Sequence, residues 1–303
     1  MNLLRRSFLG FCLLFPALWL TGCGDEQRSQ APQYQSHAQQ AGPRVLIFDV
    51  HPLHNPQKLH KLYAPLMDYL SQRVPGVRFE FEASTNYANF EEKLKTRRAD
   101  FALPNPYHAV LARDWGYHAI AKMGDDAIFR GIFLVRKDSH IEQPTDLRGK
   151  VVSYPAPTAL AAALMPQLYL QKHGLDVGKD IQNIYVGSHE SSIMNVYLGK
   201  SAAGATWPPP WATFQKEHPK EAAELKLVWQ TPSLVNNAII ARNDLPPELV
   251  AKVQNVLVHL QDDAEGRAIL ASIEVPRFDS ADDRTYDVVQ RFSTEFSAKV
   301  RPL

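Results

Sequence analysis

The segment VVSYPAPTALAAAL, residues 151–164, joins a short apolar strand to an alanine-rich helix through Pro155, Ala156, Pro157 and Thr158. A strand that turns this sharply into a helix aims unpaired backbone N–H groups and the positive end of the helix dipole at whatever lies above the turn. That arrangement suits an anion, and Thr158 adds a hydroxyl that can donate to one. Two further corners carry polar or aromatic groups in the same setting. One is Pro104-Asn105-Pro106-Tyr107; the other is Gly187-Ser188-His189, whose imidazole can donate another hydrogen bond. Each group also has a structural reading: Thr158 as a helix cap worth ~1 kcal/mol, Tyr107 as a core or rim residue, His189 as a turn residue, and Tyr87 as a first-turn staple on its helix.

Other chemistries find less support. His51, His54 and His60 cluster in DVHPLHNPQKLH, but their spacing matches no usual tetrahedral zinc set and acids nearby are sparse. Ser188 and His189 are adjacent, so their side chains diverge where a nucleophile and its base must meet. There is no Gly-x-Ser-x-Gly elbow and no glycine-rich nucleotide loop. The expectation is a binding protein without cofactor or metal rather than an enzyme.

The elements that must position these corners alternate. RVLIFDV (44–50) reads as a buried strand, and Leu59, Leu62, Tyr63, Leu66 and Leu70 share one helical face. VRFEFEA (77–83) alternates as a half-buried strand, followed by a helix over 87–97 and the strand DFALP (100–104). IFLVRK (132–137), KVVSY (150–154), IQNIYVG (181–187), AAGAT (202–206), LKLVWQ (225–230) and NNAIIAR (236–242) are further strands, with a helix over 190–198 between two of them. The segment TWPPPWATF (206–214) reads as a stiff polyproline turn with Trp207 and Trp211 packing at a hinge. The tail is helical, with a stripe from Leu249 to Leu260 and an amphipathic helix over 282–300. Alternating strands and helices imply mostly parallel sheets with helices on both faces, whose ligands bind beyond the carboxyl ends of the strands. All three corners sit there, which predicts one shared cleft.

The chain ends bear on location. Arg5 and Arg6 precede an apolar stretch over 8–20 that is too short for a membrane span, and Leu20-Thr21-Gly22-Cys23 resembles the lipobox of bacterial lipoproteins. Cleavage there would leave a diacylated Cys23 at the start of the mature chain. The arginine pair also resembles a twin-arginine export signal. The only other cysteine, Cys12, lies inside the leader, so the mature protein would hold no disulfide. Losing residues 1–22, with two arginines and no acid, moves the formal charge from +1 to −1, a balance that does not suggest nucleic acid. Residues 23–43 read as a flexible tether spanning roughly 25 Å, ahead of a body of about 260 residues, enough for two α/β lobes.

Along the body the motifs occur in a familiar order: Thr85-Asn86-Tyr87, Arg98-Ala99-Asp100-Phe101 leading to Pro104-Asn105-Pro106-Tyr107, Asp146-Leu147-Arg148-Gly149-Lys150-Val151, Pro157-Thr158-Ala159 with Pro166 following, and Gly187-Ser188-His189-Glu190. This series resembles the periplasmic phosphonate-, phosphite- and phosphate-binding proteins of ABC importers, which have the type 2 periplasmic binding protein fold. The resemblance implies two α/β lobes, each a mostly parallel sheet flanked by helices, with a ligand cleft at the hinge. Lobe 1 would comprise residues 44–135 and 237–303, and lobe 2 residues 136–236. It implies that Tyr87, Tyr107, Thr158, Ala159 and His189 hold a small oxyanion, with Asn237 on the ligand-facing turn. The chain departs from the family at Pro157, where a serine is usual, at Ala202, where an aspartate is common, and at Asn236-Asn237, where aminoalkylphosphonate binders carry an acid. Those departures argue against an aminophosphonate ligand. The partners implied are the oxyanion, a membrane permease and, through Cys23, a bacterial membrane, with the body a periplasmic monomer. A ligand-sensing subunit for a membrane histidine kinase is the alternative, and a hydrolase of phosphorus esters a third reading.

Overall fold

In RVLIFDV the side chains of Leu46, Phe48 and Val50 are fully buried, and the segment forms the strand β1 (Arg44–Val50), an interior strand next to one edge of a six-stranded sheet. The computed structural model describes residues 43–303. The expected leader over 1–22, Cys23 and all but the last residue of the tether lie outside the described residues. After β1 come α1 (Pro56–Arg73), β2 (Val77–Ala83), α2 (Tyr87–Lys95), β3 (Phe101–Leu103), α3 (Pro106–Ala112) and β4 (Tyr117–Met123). The chain then crosses to a second sheet with β5 (Ile132–Arg136), β6 (Val151–Tyr154), a π turn at Leu160–Leu164 running into α4 (Met165–Lys172), β7 (Gln182–Tyr185), α5 (His189–Tyr197), β8 (Ala203–Thr206), α6 (Pro208–Glu217), α7 (Pro219–Ala223) and β9 (Leu225–Gln230). It returns with β10 (Ala238–Arg242), α8 (Pro247–Val258), α9 (Ala264–Ser272), β11 (Phe278–Ser280) and α10 (Asp287–Lys299).

The first sheet has the order β11-β4-β10-β3-β1-β2 and the second β7-β6-β8-β5-β9, giving the two α/β lobes expected. The parallel pairs are present, β1 with β2 and β3, and β6 with β7 and β8. The strands that enter each lobe from the other, β5 and β10, run antiparallel to their neighbours, so both sheets are mixed. Residues 132–135 belong to β5 and hence to the second sheet, so the first crossing precedes Ile132 instead of falling at residue 135. The segment 206–214 also differs from expectation. It ends β8 and begins α6, because three successive prolines at Pro208, Pro209 and Pro210 preset φ for a first turn whose N–H groups need no acceptor.

The alanine-rich segment lies between two cores. Leu160, Ala161, Leu164, Met165 and Leu168 pack into the cluster built on the first sheet, while Ala159, Ala162, Ala163 and Leu170 pack into that of the second. Ala159 O accepts from both Ala163 N (2.7 Å) and Leu164 N (3.2 Å), and Leu160 O accepts from Met165 N, which is the widened π pattern. Pro166 accounts for it: proline has no N–H to donate, and its ring would strike the carbonyl four residues back in a regular α turn. Opposite this turn sits Gly131, where a Cβ would lie 2.5 Å from Ala161 O and 2.7 Å from Pro166 Cγ. Gly131 and Thr231 tie the two crossing segments together, Gly131 N donating to Thr231 Oγ1 and Thr231 N to Gly131 O, both at 2.9 Å.

Because those neighbours are backbone and a rigid ring, Gly131→Ala is expected to destabilise the protein by about 1–3 kcal/mol, the usual cost of overpacking. Urea denaturation of the two proteins measures it, and an unchanged midpoint would contradict the close packing at the crossing.

Candidate functional site

Most helices whose starts face the gap between the lobes spend their first-turn N–H groups on their own side chains. Asn55 Oδ1 accepts from Lys58 N in α1, Asn86 Oδ1 from Asn89 N in α2, Asn105 Oδ1 from His108 N in α3 and Ser188 Oγ from Ser191 N in α5. The proline start of α6 has none to spend. The helix beginning at Leu160 is different: its cap position is Ala159, which has no side-chain acceptor, and the N–H groups of Leu160, Ala161 and Ala162 find no acceptor among the described residues.

This uncapped start lines a small inner cavity of ≈ 10 Å³ together with His51, Tyr87, Asn105, Phe129, His189, Trp207 and Asn237. That volume admits about one water-sized centre. No aspartate, glutamate, lysine or arginine lines it. His51 follows β1, and its Nδ1–H donates to Leu103 O at 2.8 Å, which leaves a lone pair on Nε2. Tyr87 opens α2 with its ring 6.0 Å from that of His51, and its hydroxyl has no hydrogen-bond partner among the described residues. His189 opens α5; its Nδ1 meets Thr206 Oγ1 at 3.1 Å, and its buried Nε2 has no partner. In the tautomer in which the threonine donates to Nδ1, Nε2 carries the proton. Asn237 is fully buried, its amide nitrogen 3.4 Å from Met123 Sδ and its Oδ1 unpartnered. Burial pushes the imidazoles of both His51 and His189 down to about 3, so both rings are neutral.

Four of the residues expected at the site, Tyr87, Ala159, His189 and Asn237, therefore come together, and two do not. Thr158 is half-buried beside the cavity with its carbonyl accepting from Asn105 Nδ2 at 3.0 Å, and it does not cap the helix. Tyr107 packs into the first core, edge-on to His108 at 5.4 Å, in the first turn of α3. Pro157 points to solvent with its carbonyl held by Arg301 at 2.7 Å, and Ala202 N donates to Val151 O. Sequence reasoning missed His51, Asn105, Phe129 and Trp207 as lining groups. For His51 the signal was available, since it stands at the carboxyl end of a strand. Among the described residues no group of three or more His, Cys, Asp or Glu could hold a metal ion.

Comparison with known proteins places the chain in a family. The family described as the periplasmic substrate-binding protein of the ABC phosphonate transporter matches residues 48–286. The chain belongs to this family. A relative named as a probable phosphite-binding protein of an ABC transporter, PhnD1 of Prochlorococcus marinus, is 23% identical over 276 residues, covering 86% of this chain and 92% of its own. A solved binding component of an ABC phosphonate transporter from Pseudomonas aeruginosa superposes with a TM-score of 0.78 at 19% identity, over 85% of this chain and 88% of the other. The Prochlorococcus marinus protein solved with methylphosphonate superposes with a TM-score of 0.76 at 23% identity, over 84% and 99%. The family is one of periplasmic transport binding proteins and is not enzymatic. Among the described residues, no helix is long and apolar enough to cross a membrane.

The buried neutral histidines give stability a pH dependence of definite sign. A histidine whose folded pKa lies below its unfolded value stabilises the fold above pH ~6.5, and that contribution fades as pH falls toward 3, by about 1.4 kcal/mol per pH unit for each proton. Asp49 opposes this: burial raises its carboxyl to about 7, so its contribution is present below pH ~4 and is lost as pH rises through 7. With His51 and His189 outweighing one aspartate, urea midpoints should fall from pH 6.5 to 4.5. The fall should be shallower in His189→Asn and steeper in Asp49→Asn. A flat profile would show that these rings are not buried neutral.

Proposed function

We propose that the protein captures a small phosphorus oxyanion of the phosphonate, phosphite or phosphate class in the inner cavity and delivers it to the permease of an ABC importer. In this reading it works as a periplasmic monomer held at the membrane by a lipid on Cys23. The observation that carries the reading is the uncapped helix start at Ala159, set among side-capped neighbours and facing the unpartnered Nε2 of His189 and hydroxyl of Tyr87. Three backbone N–H groups, the helix dipole, an imidazole N–H and a phenol form a set of neutral donors for an anion. The methylphosphonate bound to the Prochlorococcus marinus relative supports the same ligand class.

The site also holds acceptors. His51 Nε2 presents a lone pair, and Asn237 presents Oδ1 unless its amide is turned over. A ligand oxygen that keeps a proton satisfies them, whereas a dianion meets lone pairs. The singly protonated anion is therefore the form bound. Since the inner cavity admits about one water, the lobes must part for entry and close over the ligand, a population shift driven by whatever contacts only the closed form makes.

Calorimetry of the mature protein with phosphite and methylphosphonate tests this. Tyr87→Phe and His189→Ala should each weaken binding about tenfold, the loss of one hydrogen bond to a charged group. Tyr107→Phe and Thr158→Ala should stay within about twofold, and wild-type affinity should fall as the ligand's second proton leaves with rising pH. Unaltered binding in both cavity variants would refute the site. The anchor is tested separately, since Cys23→Ser should move the protein from the membrane fraction to the soluble one.

A further inference from the structure

Beyond the inner cavity lies a second and much larger chamber of ≈ 190 Å³. Its walls are Leu53, Leu62 and Tyr63 from the first lobe, Ile128 at the crossing, and Trp207 and Pro210 at the start of α6. Trp207 is common to both spaces, with its indole tilted against Phe129 at 5.5 Å, and Asn236 lines the outer chamber while Asn237 lines the inner one. The two volumes thus meet at one aromatic side chain. Polar groups line the chamber as well. There Lys58 Nζ meets Glu217 Oε1 at 2.6 Å and Lys216 Nζ meets Glu274 Oε1 at 2.8 Å, while Thr213 Oγ1 donates to Glu274 Oε2 at 3.0 Å. Both carboxylates are already paired, so neither is free to take an ammonium group.

We propose that the outer chamber receives an apolar substituent of about benzene size carried on the ligand's phosphorus, so that this protein favours aryl- or bulky alkylphosphonates over bare phosphite and over aminoalkylphosphonates. The inference rests on the oxyanion reading of the inner cavity and adds the identity of the group attached to it. The inner space, which admits about one water, leaves no room for a substituent, and Trp207 is the lining group it shares with the larger volume, so the substituent is placed beside that indole. Size supports the assignment, because an apolar cavity of about 150 Å³ is enough to bind benzene. The lining supports it too: aliphatic, proline and aromatic surfaces reward a ring leaving water, and the indole of Trp207 offers a face to it. A methyl group would leave the chamber unfilled, and an aminoethyl group would place its charge against walls without a free counter-charge.

Calorimetric titration of the mature protein with methylphosphonate, phenylphosphonate and 2-aminoethylphosphonate decides the matter. Phenylphosphonate should bind at least about tenfold tighter than methylphosphonate, and 2-aminoethylphosphonate no tighter than methylphosphonate. Filling the chamber with Leu62→Trp should collapse the phenyl-to-methyl preference to within about twofold of parity; since the readout is a ratio within one variant, a partial loss of folded protein does not disturb it. Should methylphosphonate bind as well as or better than phenylphosphonate, the outer chamber is not a ligand subsite, while the oxyanion site stands. Should none of the three bind, the oxyanion reading falls and this inference with it.

Discussion

The segment from Ala159 to Leu170 is confined on two sides, and most of what the protein does follows from that confinement. One face of it belongs to each core, so its residues have to be small or to lie flat, and the alanines at 159, 161, 162 and 163 allow backbone to approach backbone. Pro166 then widens the turn, and Gly131 gives the crossing segment room to pass against it. A residue larger than alanine at the start of the helix would separate the lobes, and a serine or asparagine at 159 would cap the helix and consume the N–H groups that face the cavity. The same residues therefore set how closely the lobes meet and what the cavity offers a ligand.

An anion site without a cation, as proposed here, is an electrostatic choice with consequences. A buried lysine or arginine would attract an anion strongly, but leaving it buried without a partner costs several kcal/mol. Backbone N–H groups and neutral side chains avoid that cost because their hydrogen bonds are oriented in advance by the fold. They also impose direction. In the proposed reading Tyr87, His189 and the helix start donate, while His51 accepts because its other nitrogen is committed to Leu103 O. Donors and acceptors fixed in this way read the protonation state of the ligand as well as its charge. Charged groups line the larger chamber and not the inner cavity.

Much of the scaffold was legible because buried strands and amphipathic helices leave periodic traces. β1, β2, β6, β9, α1 and α8 all show their apolar faces in the sequence. Elements without such a trace were not read: β4, where five of seven residues are buried, the three-residue strand β11, and the short helices α3 and α9. The run Pro208-Pro209-Pro210 suggested polyproline geometry, since the same φ serves both that conformation and a helical first turn, and only the continuation into Phe214 and Glu217 separates them. At the site, strand-to-helix corners located the cleft, but corners do not specify which side chain turns inward. Tyr107 and His108 differ by one position and about 100° on α3, and both rotate into the first lobe. Asn105 shows another limit: its link to the Thr158 carbonyl joins residues 53 positions apart, and no local pattern encodes it.

What holds the lobes together at the mouth is weak by construction. The pairs Lys58–Glu217, Lys216–Glu274 and Lys172–Glu295 are substantially exposed, and such pairs contribute little, on the order of 0–1 kcal/mol each. The contacts between Asn105 and Thr158 and between Arg301 and Pro157 add two hydrogen bonds. A strong latch would keep the cleft shut with or without cargo and would prevent release to a permease. With weak rim contacts, the proposed balance between open and closed forms would be left to the interior, where a ligand's hydrogen bonds to the helix start would form only when both lobes are in place. Ligand chemistry and lobe closure are then a single equilibrium, and the closed form that a permease would recognise is the one the cargo itself stabilises.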